Sequence, residues 1–256
     1  MKMKKSLLLS MLLISFLSCG RRGGAETPEE PMPAPVSVLS IDTASTGLVI
    51  YYPPTDSIEL RCFDRPDPKV DGSAVFCCAA AFTADFGTAP DHDRICSDHV
   101  SGGKHFVRPR IKRNTGAFAA WNGTWRFLYD KNAKAESFRP VFRQAAAGRG
   151  AGFTQEMLIH EGKRVKTTRP DGNVNLFRAL CEIDGKLCVA DAIEAQPFGD
   201  FIRLLLKAGA TEAIYVDMGP GWNYSWYRQY ADSAATYIHS ASIGSATNWL
   251  VFHYRP

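Results

Sequence analysis

Three dipeptides with glycine in second place, Asn122-Gly123, Glu161-Gly162 and Asp184-Gly185, each divide a pair of apolar or alternating runs. A two-residue turn needs positive φ at its centre, which Asn and Gly tolerate, so the flanking runs are expected to pair as antiparallel neighbours. This predicts hairpins of 116–121 with 124–129, 153–160 with 163–166, and 177–183 with 186–191. The run 74–83 (AVFCCAAAFT) is apolar almost throughout and reads as a strand buried on both faces. Segments 47–52 and 58–63 read as an opening strand pair around Pro53-Pro54, 213–217 as a strand ending on Asp217, and 249–255 as the closing strand. One helix is well marked, over 197–207, where Phe198, Phe201, Ile202 and Leu205 fall at i, i+3, i+4 and i+7. Pro197 suits its first turn and Gly209 its C-terminal end. A shorter helix is expected over 139–147. The predicted fold class is α+β: a largely antiparallel or mixed sheet system built from hairpins, with a few flanking helices, in a single domain.

The first 36 residues have a different character. Lys2, Lys4 and Lys5 precede an apolar run over 7–17, which at 1.5 Å per residue is too short to cross a ~30 Å hydrocarbon core. The run leads into Ser18-Cys19-Gly20, a small residue directly before a cysteine, which resembles the processing site of bacterial lipoproteins. Residues 1–18 are expected to be a signal peptide and Cys19 to carry the lipid; 19–36, rich in Gly, Pro and charge, is expected to be a flexible tether. The folded part, 37–256, is then expected on the bacterial cell envelope, lipid-anchored and either periplasmic or surface-exposed. The chain has 30 Lys+Arg against 26 Asp+Glu, and removing the three leader lysines leaves 27 against 26. That balance gives no electrostatic footing for a nucleic-acid partner. An apolar fraction of 45% excludes disorder throughout.

Beyond Cys19, six cysteines remain: Cys62, Cys77, Cys78, Cys96, Cys181 and Cys188. An oxidising envelope permits disulfides among them. Cys181 and Cys188 face each other across the 184–185 turn and are the pair best placed to bond. Cys77 and Cys78 are consecutive on one strand, point to opposite faces, and should not bond each other. His92, Asp93, Cys96, His99 and His105 gather in a polar stretch, but their spacing fits no zinc pattern, and no metal or other cofactor is expected.

The segment 216–228 (VDMGPGWNYSWYR) is richest in chemistry. Asp217 leaves a buried strand for a loop containing Gly219 and Gly221, where backbone can approach a ligand closely. Trp222, Tyr224 and Trp226, interleaved with Asn223 and Ser225, offer the apolar platform with polar rim that a sugar face requires. The same aromatics could instead fill the core of a rigid loop. Arg178 sits in an otherwise apolar strand, where a guanidinium is costly unless it is paired or faces a cleft. A phosphate, through a bidentate fork, or Asp217 would satisfy it. The glycine-rich 148–152 could expose N–H groups to an anion, although it lacks the Lys-Ser/Thr ending of a P-loop. No Gly-x-Ser-x-Gly elbow is present.

Four segments, in order, give residues 74–255 a resemblance to the phosphodiester glycosidase family. The strand at 76–83 stands where that family has an Asn-Gly-Gly-Phe-Phe type segment, and 155–162 (QEMLIHEG) resembles its following hairpin. Arg178-Ala-Leu with Ile183-Asp-Gly-Lys-Leu resembles its arginine strand. Residues 201–219, ending Ala213-Ile-Tyr-Val-Asp-Met-Gly, resemble its helix and strand that end in Leu-Asp-Gly-Gly-Gly-Ser. This chain lacks the Asn-Gly pair at 79–83, has Met218 where a glycine follows the aspartate, and offers Ser225 for the family's serine across a longer loop. The resemblance implies hydrolysis of a sugar-1-phosphodiester on envelope or extracellular glycans. It implies Arg178 on the phosphate and Asp217 as base, nucleophile or oxocarbenium stabiliser. Thr83, Gln155 and Ser225 would position the sugar beside Gly219 and Trp222, and Glu156 or Glu194 would be a second carboxylate of the kind glycosidases use. The expected partners are a carbohydrate or sugar-phosphodiester substrate and, through the lipid, the membrane. The other readings are a non-catalytic glycan- or sugar-phosphate-binding surface lipoprotein and a purely structural envelope protein, which would bind no small ligand.

Overall fold

All three glycine turns form. Asn122, Glu161 and Asp184 take φ of 49°, 51° and 51°, and the glycine after each takes 70°. Gly116–Trp121 pairs with Thr124–Tyr129, and Arg178–Ile183 with Lys186–Ala192, placing Cys181 directly opposite Cys188. The structure is a computed structural model that describes residues 35–44, 47–82, 95–109, 112–132, 134–218, 223–239 and 248–256. The expected signal peptide, the lipid site at Cys19 and nearly all of the tether lie outside the described residues.

Three sheets make up most of the described chain. A seven-stranded sheet runs in the order Ser40–Asp42, Leu48–Tyr52, Lys186–Ala192, Arg178–Ile183, Ala210–Val216, Met157–His160, Lys163–Arg164. One five-stranded sheet runs Thr236–His239, Ser225–Tyr227, Ala74–Ala79, Asn248–His253, Ser57–Cys62. The other runs Lys104–Phe106, His99–Ser101, Ala151–Gln155, Gly116–Trp121, Thr124–Tyr129. Every pairing in these sheets is antiparallel. Two helices accompany them, Ala135–Ala147, longer than expected, and Phe198–Lys207. The result is a sheet-rich, antiparallel fold.

One expected pairing does not form, and another forms only beside its turn. Leu48–Tyr52 joins Lys186–Ala192, whereas Ser57–Cys62 joins Asn248–His253 in a different sheet. Pro53 and Pro54 have no N–H to give a hairpin ladder, and they carry the chain from one sheet to the other. The run 153–160 is likewise broken, because Glu156 separates Ala151–Gln155 from Met157–His160. The first half pairs with Gly116–Trp121, and the second lies between Ala210–Val216 and its expected hairpin partner, Lys163–Arg164, so the chain changes sheets at Glu156.

The main core lies between the sheets. Leu180, Val189, Ile214 and Val216 of the seven-stranded sheet meet Leu60, Phe76, Leu250 and Phe252 of the first five-stranded sheet and Phe118 and Phe153 of the second. On the opposite face Ala179, Ala190 and Tyr215 pack with Phe198, Phe201, Ile202 and Leu205, the four stripe residues of the helix. All four are fully buried, each worth about 1.5–3 kcal/mol relative to exposure. The chain leaves this helix at Gly209, whose φ of 88° suits glycine and whose N–H donates to the Leu206 carbonyl at 3.0 Å.

Cys77 and Cys78 do face opposite ways, Cys78 into the main core and Cys77 into an outer cluster with Trp226 and Trp249. Cys181 and Cys188 are opposed as predicted but remain thiols, and the Cys188 thiol donates to the Cys181 carbonyl at 3.6 Å. Burial, together with the Cys188 neighbour, holds the Cys181 thiol well above its ordinary range.

Candidate active site

Arg178 opens its strand with Asp191 opposite it on one side and Val216 on the other. Asp217 is therefore the residue immediately after Arg178's strand partner. Its N–H donates to the Ala80 carbonyl at 2.9 Å, which brings the end of Ala74–Ala79 to the same place. Asn248 holds the next residue there, accepting from Ala81 N at 2.7 Å and donating to Ala81 O at 3.0 Å. Ser225 begins its strand opposite Cys78 and His239. The Glu156 carbonyl accepts from Tyr215 N at 3.0 Å, tying Gln155 and Glu156 to the same strand end. Gln155, Glu156, Arg178, Asp217 and Ser225 thus converge from four strands. The other expected site residues, Thr83, Gly219 and Trp222, lie outside the described residues.

Arg178 is not paired as the sequence reading expected. Its side chain is fully buried, and Nε and Nη2 donate to Asp191 Oδ1 and Oδ2, each at 2.5 Å. Asp191 therefore fills the place expected for a phosphate or Asp217. Nη2 also donates to Ser225 Oγ at 3.0 Å, and Nη1 is buried with no hydrogen-bond partner among the described residues. Burial alone would lower the guanidinium's pKa; the Asp191 carboxylate outweighs it and holds the group above its ordinary value. The pair acts on its surroundings. Cys78, pushed up to about 12 by burial, and Tyr51, raised by burial and then by Asp191, both feel it. His239 is lowered by burial and then by the Arg178 charge. Asp191, Tyr51 and His239 were missed from sequence, although the hairpin register that opposes Cys181 and Cys188 also opposes Arg178 and Asp191.

Gln155 is fully buried; its Oε1 accepts from Glu156 N at 3.2 Å and its Nε2 has no partner among the described residues. Glu156 is 1% exposed and committed elsewhere: Oε1 accepts from the backbone N–H of Thr168 and from Thr168 Oγ1 at 2.8 Å. It holds the loop that carries Arg169. Glu194, the other expected second carboxylate, is exposed.

Asp217 is 8% exposed, and its Oδ1 accepts from Met218 N at 3.1 Å. Burial and then the Asp217 charge push Tyr215 up to about 12. Arg169 Cζ lies 4.6 Å from the centre of the Tyr215 ring, 5.5 Å from Phe177 and 5.2 Å from Phe198. Tyr215 lies 5.7 Å from Phe82, whose ring carries Arg113 at 3.6 Å.

Other expectations are corrected. Tyr224 and Trp226 offer no sugar platform: both are buried, and their Oη and Nε1 donate to the Pro66 carbonyl at 2.9 and 3.2 Å. Pairing of Ser225–Tyr227 with Ala74–Ala79 turns Trp226 into the outer cluster. The 148–150 N–H groups form no anion nest, because Gly148, Arg149 and Gly150 donate to Gln144, Ala146 and Ala145 carbonyls and end the helix. Among the described residues no group of His, Cys, Asp and Glu is arranged to hold a metal ion. His99 stacks on Phe106 at 4.8 Å, while His92 and Asp93 lie outside the described residues.

No protein-family profile matches this chain, and no curated protein sequence matches it. Solved structures do. The catalytic domain of zebrafish N-acetylglucosamine-1-phosphodiester alpha-N-acetylglucosaminidase, auto-inhibited by its pro-peptide, superimposes with a TM-score of 0.56 at 14% identity, over 91% of this chain and 87% of that one. A hypothetical protein from Synechocystis superimposes with a TM-score of 0.52 at 12% identity, over 84% of this chain and 61% of that one. The chain shares its fold with both.

Proposed function

We propose that this protein is a phosphodiester glycosidase, a hydrolase that cleaves a sugar-1-phosphodiester into the free sugar and a phosphate monoester. The observation that carries the reading is the placement of Asp217 one residue beyond Arg178's strand partner, with Ser225 hydrogen-bonded to Arg178. The fold shared with the zebrafish enzyme supports it. Asp217 would face the anomeric carbon as base, nucleophile or stabiliser of the oxocarbenium charge. A phosphate monoester leaves more readily than an alkoxide, so the site needs less help from a second carboxyl group. Glu156, held on Thr168, is not available for that help in any case.

Arg178 is assigned here to positioning. Asp191 locks it, and its Nη2 orients Ser225 Oγ, which itself donates to the Asn223 carbonyl at 3.2 Å. Ser225 and the unpartnered Nε2 of Gln155 would then meet sugar hydroxyls. The non-catalytic glycan-binding alternative relied partly on Tyr224 and Trp226, and their burial removes that support. With lipid on Cys19, the enzyme would act at the bacterial cell envelope.

The test is incubation of the full chain in detergent with a GlcNAc-1-phosphodiester, assaying free sugar, with Asp217→Asn as control. Release that disappears in the variant is expected. Binding of the phosphodiester without any release would replace the hydrolase by a binding protein.

A further inference from the structure

We infer that the substrate's phosphate is held by Arg113 and Arg169 and not by Arg178. The inference rests on Asp217 being the reacting carboxylate. A phosphodiester brought to a buried aspartate needs cationic charge that is not already neutralised. Arg178 does not supply it, being fully buried against Asp191. Arg61, Arg139, Arg164 and Arg203 are each drawn into ion pairs as well. Arg113 and Arg169 join no ion pair among the described residues, and a pair of aromatic rings links both to the chain segments that meet at Asp217.

The link is a short aromatic row. Phe82 lies two residues beyond Ala80, whose carbonyl accepts the Asp217 N–H, and Tyr215 lies two residues before Asp217 and feels its charge. The two rings are 5.7 Å apart, with Arg113 over the first at 3.6 Å and Arg169 over the second at 4.6 Å. Stacking on Phe82 uses the face of the Arg113 guanidinium and leaves its edge N–H groups for the planar, bidentate contact that phosphate oxygens accept. Arg169 also hydrogen-bonds Tyr215 and would meet the phosphate with its other N–H groups.

Each arginine also has a buried anchor beside it. Glu156 holds Thr168, next to Arg169. Asn114, next to Arg113, is 4% exposed and donates to Ser97 Oγ at 3.0 Å and the Thr154 carbonyl at 3.1 Å. The backbone under both cations is therefore ordered before ligand arrives, which lowers the entropy lost on binding.

Calorimetric titration of the full chain with GlcNAc-1-phosphate, inorganic phosphate and neutral GlcNAc reads this directly. Arg113→Gln should weaken both phosphate ligands about tenfold or more, Arg169→Lys should weaken them by less, and neither should alter neutral GlcNAc. Arg149→Gln, a distant exposed guanidinium, should change nothing. Unaltered phosphate affinity in the Arg113 and Arg169 variants overturns the assignment, as does an equal loss for neutral GlcNAc, or wild-type protein that binds no phosphate. Arg169 touches core rings, so melting curves accompany each variant, and the exposed Arg113→Gln decides if Arg169→Lys unfolds. Binding is read without turnover, so lost phosphate affinity in a protein that releases no sugar upholds the pair and removes the hydrolase. Sugar release with undiminished phosphate affinity does the reverse.

Discussion

Arg178 and Asp191 meet across neighbouring strands through two 2.5 Å contacts, with the guanidinium fully buried and the aspartate 4% exposed. Removing one member leaves the other charge without compensation in a medium that solvates it poorly. Asp191→Asn should therefore lose about 3–5 kcal/mol of stability in urea unfolding. The double variant Arg178→Met, Asp191→Leu should recover much of that loss, since an apolar pair of similar volume avoids the desolvation penalty. An Asp191→Asn protein as stable as wild type would show that the pair is not closed in solution.

Asp217→Asn preserves shape and removes the charge. Turnover of a sugar-1-phosphodiester should fall at least ~100-fold while the melting temperature stays close to wild type. Near-normal turnover in this variant would remove Asp217 from the chemistry.

Two glycines should respond to a methyl group for different reasons. A Cβ on Gly150 would sit 1.9 Å from the Ala120 carbonyl oxygen, so the helix-to-strand connection must shift, and Gly150→Ala should cost about 3 kcal/mol or more. Gly123 has open space but a φ of +70°, and Gly123→Ala should cost only about 1 kcal/mol. Equal losses in thermal or urea unfolding would contradict this contrast.

Glu59 sets a pH dependence. Burial raises its pKa, but hydrogen bonds from His253 and Arg61 outweigh burial and bring the carboxyl down to about 2 from the usual 4.5. A depressed carboxylate stabilises the fold above its unfolded value, and that contribution is lost as pH falls from about 4.5 through about 2. The side chain is 37% exposed, so solvent screening limits the effect to about 1 kcal/mol. Glu59→Gln should be less stable than wild type at pH 7 and indistinguishable from it near pH 2, as followed by urea midpoints. A difference that persists unchanged at pH 2 would point to packing and not charge.

Several features were legible because they are encoded within a few residues of each other. The positive-φ turns at 122–123, 161–162 and 184–185 follow from turn chemistry, and the stripe of Phe198, Phe201, Ile202 and Leu205 from helical period. The opposition of Arg178 and Asp191 was available from the same hairpin register that paired the cysteines. Assigning that partner needed only the question of which carboxylate faces a buried arginine.

What the sequence determined by itself was local: where the chain turns, which hairpins close, and which face of the helix is apolar. Tertiary structure decided which sheet each strand enters, so that 48–52 and 57–62 part at two prolines and 151–160 divides at Glu156. It also decided which polar groups are already satisfied. Arg178 is neutralised by Asp191, Glu156 is held on Thr168, and Tyr224 and Trp226 are turned inward onto Pro66. Backbone dihedrals and periodicity depend on near neighbours, whereas desolvation and charge compensation depend on every group that folding brings within a few ångströms, most of them remote along the chain.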